Sequence, residues 1–172
     1  MEHPPKLVIL SGLPGVGKSA LAQRVAVLLD AVWLRVDSLE ASLLKSGIPQ
    51  SFETGLAAYV ACRDLAADQL RLGRNVVIDA VNGVGPARRV WRDLAEELHA
   101  DRYTIHVTCT DPKEHRRRVE TREVPTPPLP KPTWEEVATR EFEPWDEPVL
   151  VVDSLRPPAE VAPQIVEYVV RE

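Results

Sequence analysis

Cysteine is scarce: the 172 residues hold only two, Cys62 and Cys109, far apart and each inside an apolar segment. That usage excludes a disulfide-stapled scaffold and predicts two buried free thiols. A basic excess is also missing. Twenty-one Lys and Arg against 26 Asp and Glu leave a formal charge of −5, which argues against a long nucleic-acid strand as the main partner. No apolar run is long enough to span a bilayer, and Met1-Glu2-His3-Pro4-Pro5 has no signal-peptide pattern, so the expectation is a cytoplasmic chain without a membrane partner. The four histidines lack metal-ligand spacing, no Ser/His/Asp or Cys/His arrangement emerges, and no internal repeat is present.

What is present is a steady alternation of short apolar runs with helical stretches. Strands are predicted over 7–10, 32–36, 75–79, 103–109 and 149–153. Helices are predicted over 19–29, 37–45, 52–72, 84–99, 111–122, 133–142 and 159–170. Asp111 and Pro112 suit an N-cap and first turn, and Thr133 with Glu136 forms a capping box. This order predicts an α/β fold, a parallel sheet with helices on both faces. A length of 172 residues with 44% hydrophobic residues fits one domain over 1–172. The only biased segment is Val124 to Pro132, "VPTPPLPKP", with five prolines from Pro125 onward, read as an extended, semi-rigid connector.

The first strand runs into Gly12-Leu13-Pro14-Gly15-Val16-Gly17-Lys18-Ser19, which spells GxxxxGK[ST] without a mismatch. After a buried strand, such a turn aims a row of backbone N–H groups into one space. Glycine permits the dihedrals and the close approach of phosphates. A helix beginning at Gly17 adds the positive end of its dipole. Gly12, Pro14, Gly15, Val16, Gly17, Lys18, Ser19 and Ala20 are therefore the candidate cradle for a nucleoside triphosphate, ATP. Lys18 reaches the β- and γ-phosphates, and the Ser19 hydroxyl is a ligand for Mg²⁺.

Three further features bear on the fate of the γ-phosphate. Asp79, at the tip of "NVVID", is a second Mg²⁺ candidate, and the residue after it is Ala80 rather than the water-activating glutamate of ATPase motors. No Asn-Lys-x-Asp guanine reader follows an apolar strand. Asp37, at the end of the second strand, faces the same crevice as the loop; it suits either a base for an attacking hydroxyl or a helix cap. Arg35 shares its side, for an acceptor or a structural pairing. In "DPKEHRRRVETRE" Arg118 and Arg122 are four apart and project from one helical face, while Arg117 lies off it. They are candidates for a closing lid over about 111–145, or else a solvated basic face paired with Glu114 and Glu120. Trp33, Trp91, Trp134 and Trp145 are read as core or lid packing, with Trp134 and Trp145 also open to an acceptor wall.

With "GLPGVGKS", "RVDSLEASL", "VVIDAVNGVGPARRVW", "CTDPKEHRRRVETR" and "VLVVDS", the chain resembles small P-loop kinases of the AAA_33-type predicted-kinase group. That group is related to chloramphenicol phosphotransferase, zeta toxin, the polynucleotide 5′-kinase domain and kinases of gluconate and shikimate type. The resemblance implies a P-loop NTPase fold whose five-stranded parallel sheet has the order 2-3-1-4-5, with a helical lid. It implies a base role for Asp37, lid roles for Arg118 and Arg122, and a role for Asn82 in shaping the acceptor side; Arg88 or Arg89 resembles an arginine that follows. The arginine that shikimate-type kinases place three residues after the aspartate is replaced here by Glu40.

The expected activity is ATP- and Mg²⁺-dependent transfer of the γ-phosphate to a hydroxyl of a small molecule. A nucleic-acid or nucleotide 5′-hydroxyl kinase and an ATP-switched interaction protein are the alternatives.

Overall fold

A computed structural model describes residues 3–123 and 126–171. Met1, Glu2, Glu172 and the first two residues of the proline-rich connector, Val124 and Pro125, lie outside the described residues. The chain runs β1 (Lys6–Ser11), α1 (Lys18–Leu28), β2 (Val32–Arg35), α2 (Val36–Lys45), α3 (Phe52–Arg71), β3 (Val76–Asp79) and α4 (Gly85–Leu98). It continues through β4 (Asp101–Thr108), α5 (Pro112–Thr121), α6 (Trp134–Thr139), β5 (Leu150–Asp153) and α7 (Pro158–Val170). The five strands form one sheet in the order β2-β3-β1-β4-β5, every pair parallel. This is the P-loop NTPase order.

The period-two alternation of a strand sorts the core into two layers. On β1, Val8 and Leu10 pack with Leu21 and Val25 of α1 and Val161 and Ile165 of α7. Leu7 and Ile9 face the other way, onto Ala58, Cys62 and Ala66 of α3 and Trp91 and Leu94 of α4. Both faces of the central strands are therefore covered, as their unbroken apolar runs require. Burying each such side chain contributes about 1.5–3 kcal/mol, and the result is a rigid platform with all strand C-termini at one edge. There the register sets Leu10 and Arg35 on either side of Asp79.

Of the boundaries that differ from expectation, three bear on the site. β2 stops at Arg35 because its partner β3 ends at Asp79, and the buried Val36 already starts α2. Asp37 thus sits in the first turn of a helix, and it is not the N-cap, which is Arg35. α5 stops at Thr121, and Arg122 turns extended (φ −65°, ψ 147°) as the chain enters the connector. Arg118 and Arg122 consequently do not share one helical face. α6 keeps its Thr133–Glu136 capping box but ends at Thr139, well short of residue 142, with Arg140 extended.

Candidate functional site

The loop between β1 and α1 is held in place by backbone. The Gly12 N–H donates to the Val81 carbonyl at 3.2 Å, and a Cβ on Gly12 would stand 2.4 Å from the Val107 carbonyl oxygen, so only glycine fits against β4. Gly15, at φ +82°, lies so close to α5 that a Cβ would meet Val119 Cγ2 at 2.5 Å. Gly17 is the N-cap of α1, and no side chain caps that end. The first N–H groups of α1 therefore lack a side-chain acceptor, which is the arrangement that receives an anion.

Lys18 opens α1 and is buried, 9% exposed. Its Nζ donates to the Leu13 carbonyl at 3.2 Å, and among the described residues it has no carboxylate ion pair. Burial pulls its pKa below the ordinary lysine value, with the charges of Asp79 and then Asp37 acting the other way. A buried ammonium held by one carbonyl is under-compensated, and an anionic ligand supplies what is missing. Next to it the Ser19 hydroxyl donates to Asp79 Oδ2 at 2.7 Å, and Arg35 Nε stands 3.5 Å from the same oxygen. Among the described residues no group of three or more His, Cys, Asp and Glu gathers into a metal cage. Ser19 and Asp79 instead offer two adjacent oxygens, a donor set that fits Mg²⁺, which takes one or two protein ligands and completes its shell with phosphate and water.

Two cavities meet here. The first, about 490 Å³, is lined by Lys18, Ser19, Asp79, Asp37, Arg118 and Arg122 among others. The fold thus brings together every side chain the sequence put forward for catalysis or metal binding. Pro14, Gly15, Gly17 and Ala20 also line it, whereas Gly12 and Val16 are buried beneath the loop. The second cavity, about 540 Å³, lies toward α2, the connector and α6, and shares Pro14, Asp37, Val81 and Arg122 with the first. Asp37 and Arg122 therefore stand at the junction. Asp37 makes no hydrogen bond or ion pair among the described residues.

The arginines of α5 divide their work. Arg118 donates from Nη1 to Ser154 Oγ at 2.9 Å, from Nη2 to the Ser154 carbonyl at 3.0 Å and from Nε to Glu114 at 2.8 Å. It is braced against the loop after β5. Arg117, expected off the face, lines the first cavity and shares Glu114, whose carboxyl the two guanidiniums hold down at about 2. Arg122 is half-buried with its Nε unpartnered among the described residues. Burial lowers its pKa first, with Asp37 opposing and Arg35 adding to the fall.

Several residues turn out to serve the scaffold. Asn82, buried at φ +51°, donates from Nδ2 to Ser11 Oγ at 2.9 Å and accepts from Trp91 Nε1 at 2.8 Å, so its side chain is consumed by the fold. Arg88 is buried and donates to the carbonyls of Asn82, Gly83, Glu143 and Pro144, with its guanidinium 3.7 Å from the Trp145 ring centroid. It clasps the segment after α6 to α4 and the loop after β3, and Trp145 is part of that clasp. Arg89 is exposed. His115 is buried, with Nε2 hydrogen-bonded to the Pro14 carbonyl at 2.8 Å and its ring meeting Trp134 edge-on at 5.1 Å; Trp134 thus packs α6 on α5. Arg35 takes the structural pairing, one of its two readings, with Asp79 as the partner, whereas sequence reasoning missed Ser154, and Glu40 and Arg140 in the second cavity. Only Glu40 left a trace, as an acid one helical turn from Asp37.

The model of the AAA_33 family, an AAA domain, matches residues 7–144. Among solved structures, a sugar kinase from Janibacter sp. HTCC2649 superposes with a TM-score of 0.71 at 19% identity, covering 96% of this chain and 94% of its own. A gluconokinase from Sinorhizobium meliloti 1021 gives 0.72 at 17% identity, over 98% and 94%. The APS kinase of Mycobacterium tuberculosis, in complex with AMPPNP and APS, gives 0.73 at 18% identity, over 95% and 96%. At these identities the likeness is one of fold: that of P-loop kinases.

Proposed function

The chain belongs to the AAA_33 family, and from that premise we propose that it is an ATP- and Mg²⁺-dependent phosphotransferase acting on a hydroxyl of a small molecule. One observation carries this reading: Asp37, without a partner among the described residues, stands where the cradle of Lys18, Ser19 and Asp79 opens into a second cavity. Three P-loop kinases share the fold, one of them solved with AMPPNP in place, and a sugar kinase and a gluconokinase are among them. A hydrolase needs no second chamber and does need a base for water. Here the residue after Asp79 is the buried Ala80.

In the proposed reaction the loop amides and Lys18 grip the β- and γ-phosphates. Ser19 and Asp79 would hold Mg²⁺, which when bound neutralises phosphate charge. The acceptor lies in the second cavity with one hydroxyl against Asp37. Its oxygen forms the new bond to the γ-phosphorus as the bond to the β,γ-bridging oxygen breaks. The hydroxyl proton passes to Asp37, and the bond's electron pair leaves with ADP. Arg122, at the junction, stabilises the charge in flight, and Arg118, anchored on Ser154, fixes the floor beneath it. Positioning and electrostatics are what such a transfer requires.

The test is an acceptor screen coupled to ADP release, with mass spectrometry of the products. The reading expects ADP in proportion to one acceptor and a product heavier by one phosphoryl group. ADP release that is the same with and without every acceptor, with no mass adduct, would sink it.

A further inference from the structure

The second cavity has a charge arrangement that points to the class of its occupant. From α2 it receives Asp37 and Glu40, three residues apart and hence neighbours on one helical face. From the lid region it receives Arg122 and Arg140. Among the described residues none of these four charged groups makes an ion pair with another side chain. The remaining charged residues of the cavity are already engaged. Lys131 Nζ donates to the carbonyls of Glu120 and Arg122 at 2.9 and 3.0 Å, and Glu136 is committed to the Thr133 capping box. Val81, Leu129, Pro130 and Pro132 supply apolar surface between them.

Two open carboxylates and two open guanidiniums cancel in charge while offering hydrogen-bond acceptors and donors in equal number. An acceptor bearing a carboxylate or phosphate would bring its charge up to Asp37 and Glu40. Burial and then the charge of Asp37 already raise the Glu40 pKa, with Arg140 opposing, so that corner resists further negative charge. A cationic acceptor meets the same difficulty at Arg122 and Arg140. A molecule carrying several hydroxyls meets neither: each hydroxyl donates to a carboxylate and accepts from a guanidinium, and its C–H faces rest on the prolines. About 540 Å³ holds a molecule of that size.

We propose that the acceptor is an uncharged polyhydroxylated molecule of sugar size, and that Glu40 is the residue that discriminates against anionic acceptors. That the occupant is phosphorylated rests on the phosphotransfer reading; the charge preference belongs to the cavity itself. It separates this chain from a gluconokinase or an APS kinase, which act on anions.

The test is calorimetric titration of the whole chain, loaded with AMPPNP, with matched sets of an aldose or alditol, its aldonic acid and its amino sugar. Turnover of the same compounds with ATP is followed by product mass. We expect an uncharged member to bind at least on the order of 30-fold more tightly than its aldonic acid. Glu40→Gln should narrow that gap by roughly 10-fold, and Glu40→Arg should close or invert it. AMPPNP affinity should stay unchanged in both variants, and the near-isosteric Gln variant keeps the test valid if the Arg variant fails to fold. The proposal is overturned if wild type binds the acid as well as the uncharged partner, if no compound binds, or if Glu40→Gln leaves the ratio unmoved. Charge-ordered binding without any phosphorylated product would support the cavity assignment and sink phosphotransfer. Preferential phosphorylation of the acid would do the reverse.

Discussion

The cavity under Lys18 and the cavity beside Glu40 share Asp37 and Arg122, yet they are built differently. The first is made largely of consecutive backbone: a loop whose Gly12 has no room for a Cβ against Val107, and a lysine that is itself the first residue of the following helix. The second is made of side-chain tips from separate elements, with Glu40 from α2, Arg122 from beyond α5 and Arg140 from beyond α6. A site that must hold the same phosphates in many enzymes is best made rigid and contiguous. One that sets specificity can be dispersed, because each long side chain can change without disturbing the loop.

Four substitutions probe this division. The largest effect is expected at the contiguous side. Lys18→Met should lower phosphoryl transfer by on the order of 10³-fold and abolish the stabilisation that ATP confers on melting. Because folding lowers the Lys18 pKa, its charged form disfavours the fold at every pH below that value. The nucleotide-free variant should therefore melt no lower than wild type at neutral pH, as differential scanning fluorimetry would show. A loss of folding instead would mean that Lys18 is structural.

At the junction, Asp37→Asn should reduce transfer by on the order of 10²-fold while AMPPNP affinity, measured by calorimetry, is kept. Near-native turnover would remove Asp37 from the role of base.

The dispersed side depends on an anchor outside either cavity. Arg88→Met strips the donors from four carbonyls, and unfolding in urea should show a loss of about 3 kcal/mol. The acceptor KM should rise more than the nucleotide KM, since it is the segment beyond α6, held at Glu143 and Pro144, that loosens.

The smallest effect is thermal and pH-dependent. The raised pKa of Glu40 means that its charge costs stability above that pKa and nothing once the pH falls below the unfolded value of about 4.3. Glu40→Gln should accordingly melt slightly higher than wild type at about pH 7 and alike at about pH 3. A lower melting point at neutral pH would show that Glu40 is paired in the fold.

Most of the platform was legible beforehand. Each strand and helix was placed within a few residues because apolar runs and turn residues act locally. The misses share a cause. β2 ended early because its partner strand ran out at Asp79, and α6 ended early where the chain turned toward the clasp of Arg88. The supposed helical face of Arg118 and Arg122 dissolved because the chain left α5 one residue before Arg122. In each case the neighbours, and not the residue's own propensity, decided the boundary. The same holds for Arg88 and Asn82, whose polar groups are spent on partners far along the chain.

What the sequence by itself determined is the glycine loop that delivers Lys18 and Ser19 to the start of a helix, since "GLPGVGKS" needs only its own backbone, a strand before it and a helix after it. It also determined the α/β alternation, through hydrophobic periodicity. The sequence put Asp37, Asp79, Arg118 and Arg122 forward for one site, but tertiary structure alone decided that they line one cavity by way of these particular contacts and that a second opens beside it with Glu40 and Arg140. These residues span more than a hundred positions. They meet because parallel strands deliver their C-terminal ends to one edge of the sheet and the chain around α5 and α6 folds back beside it, and such long-range geometry leaves no local mark on the chain.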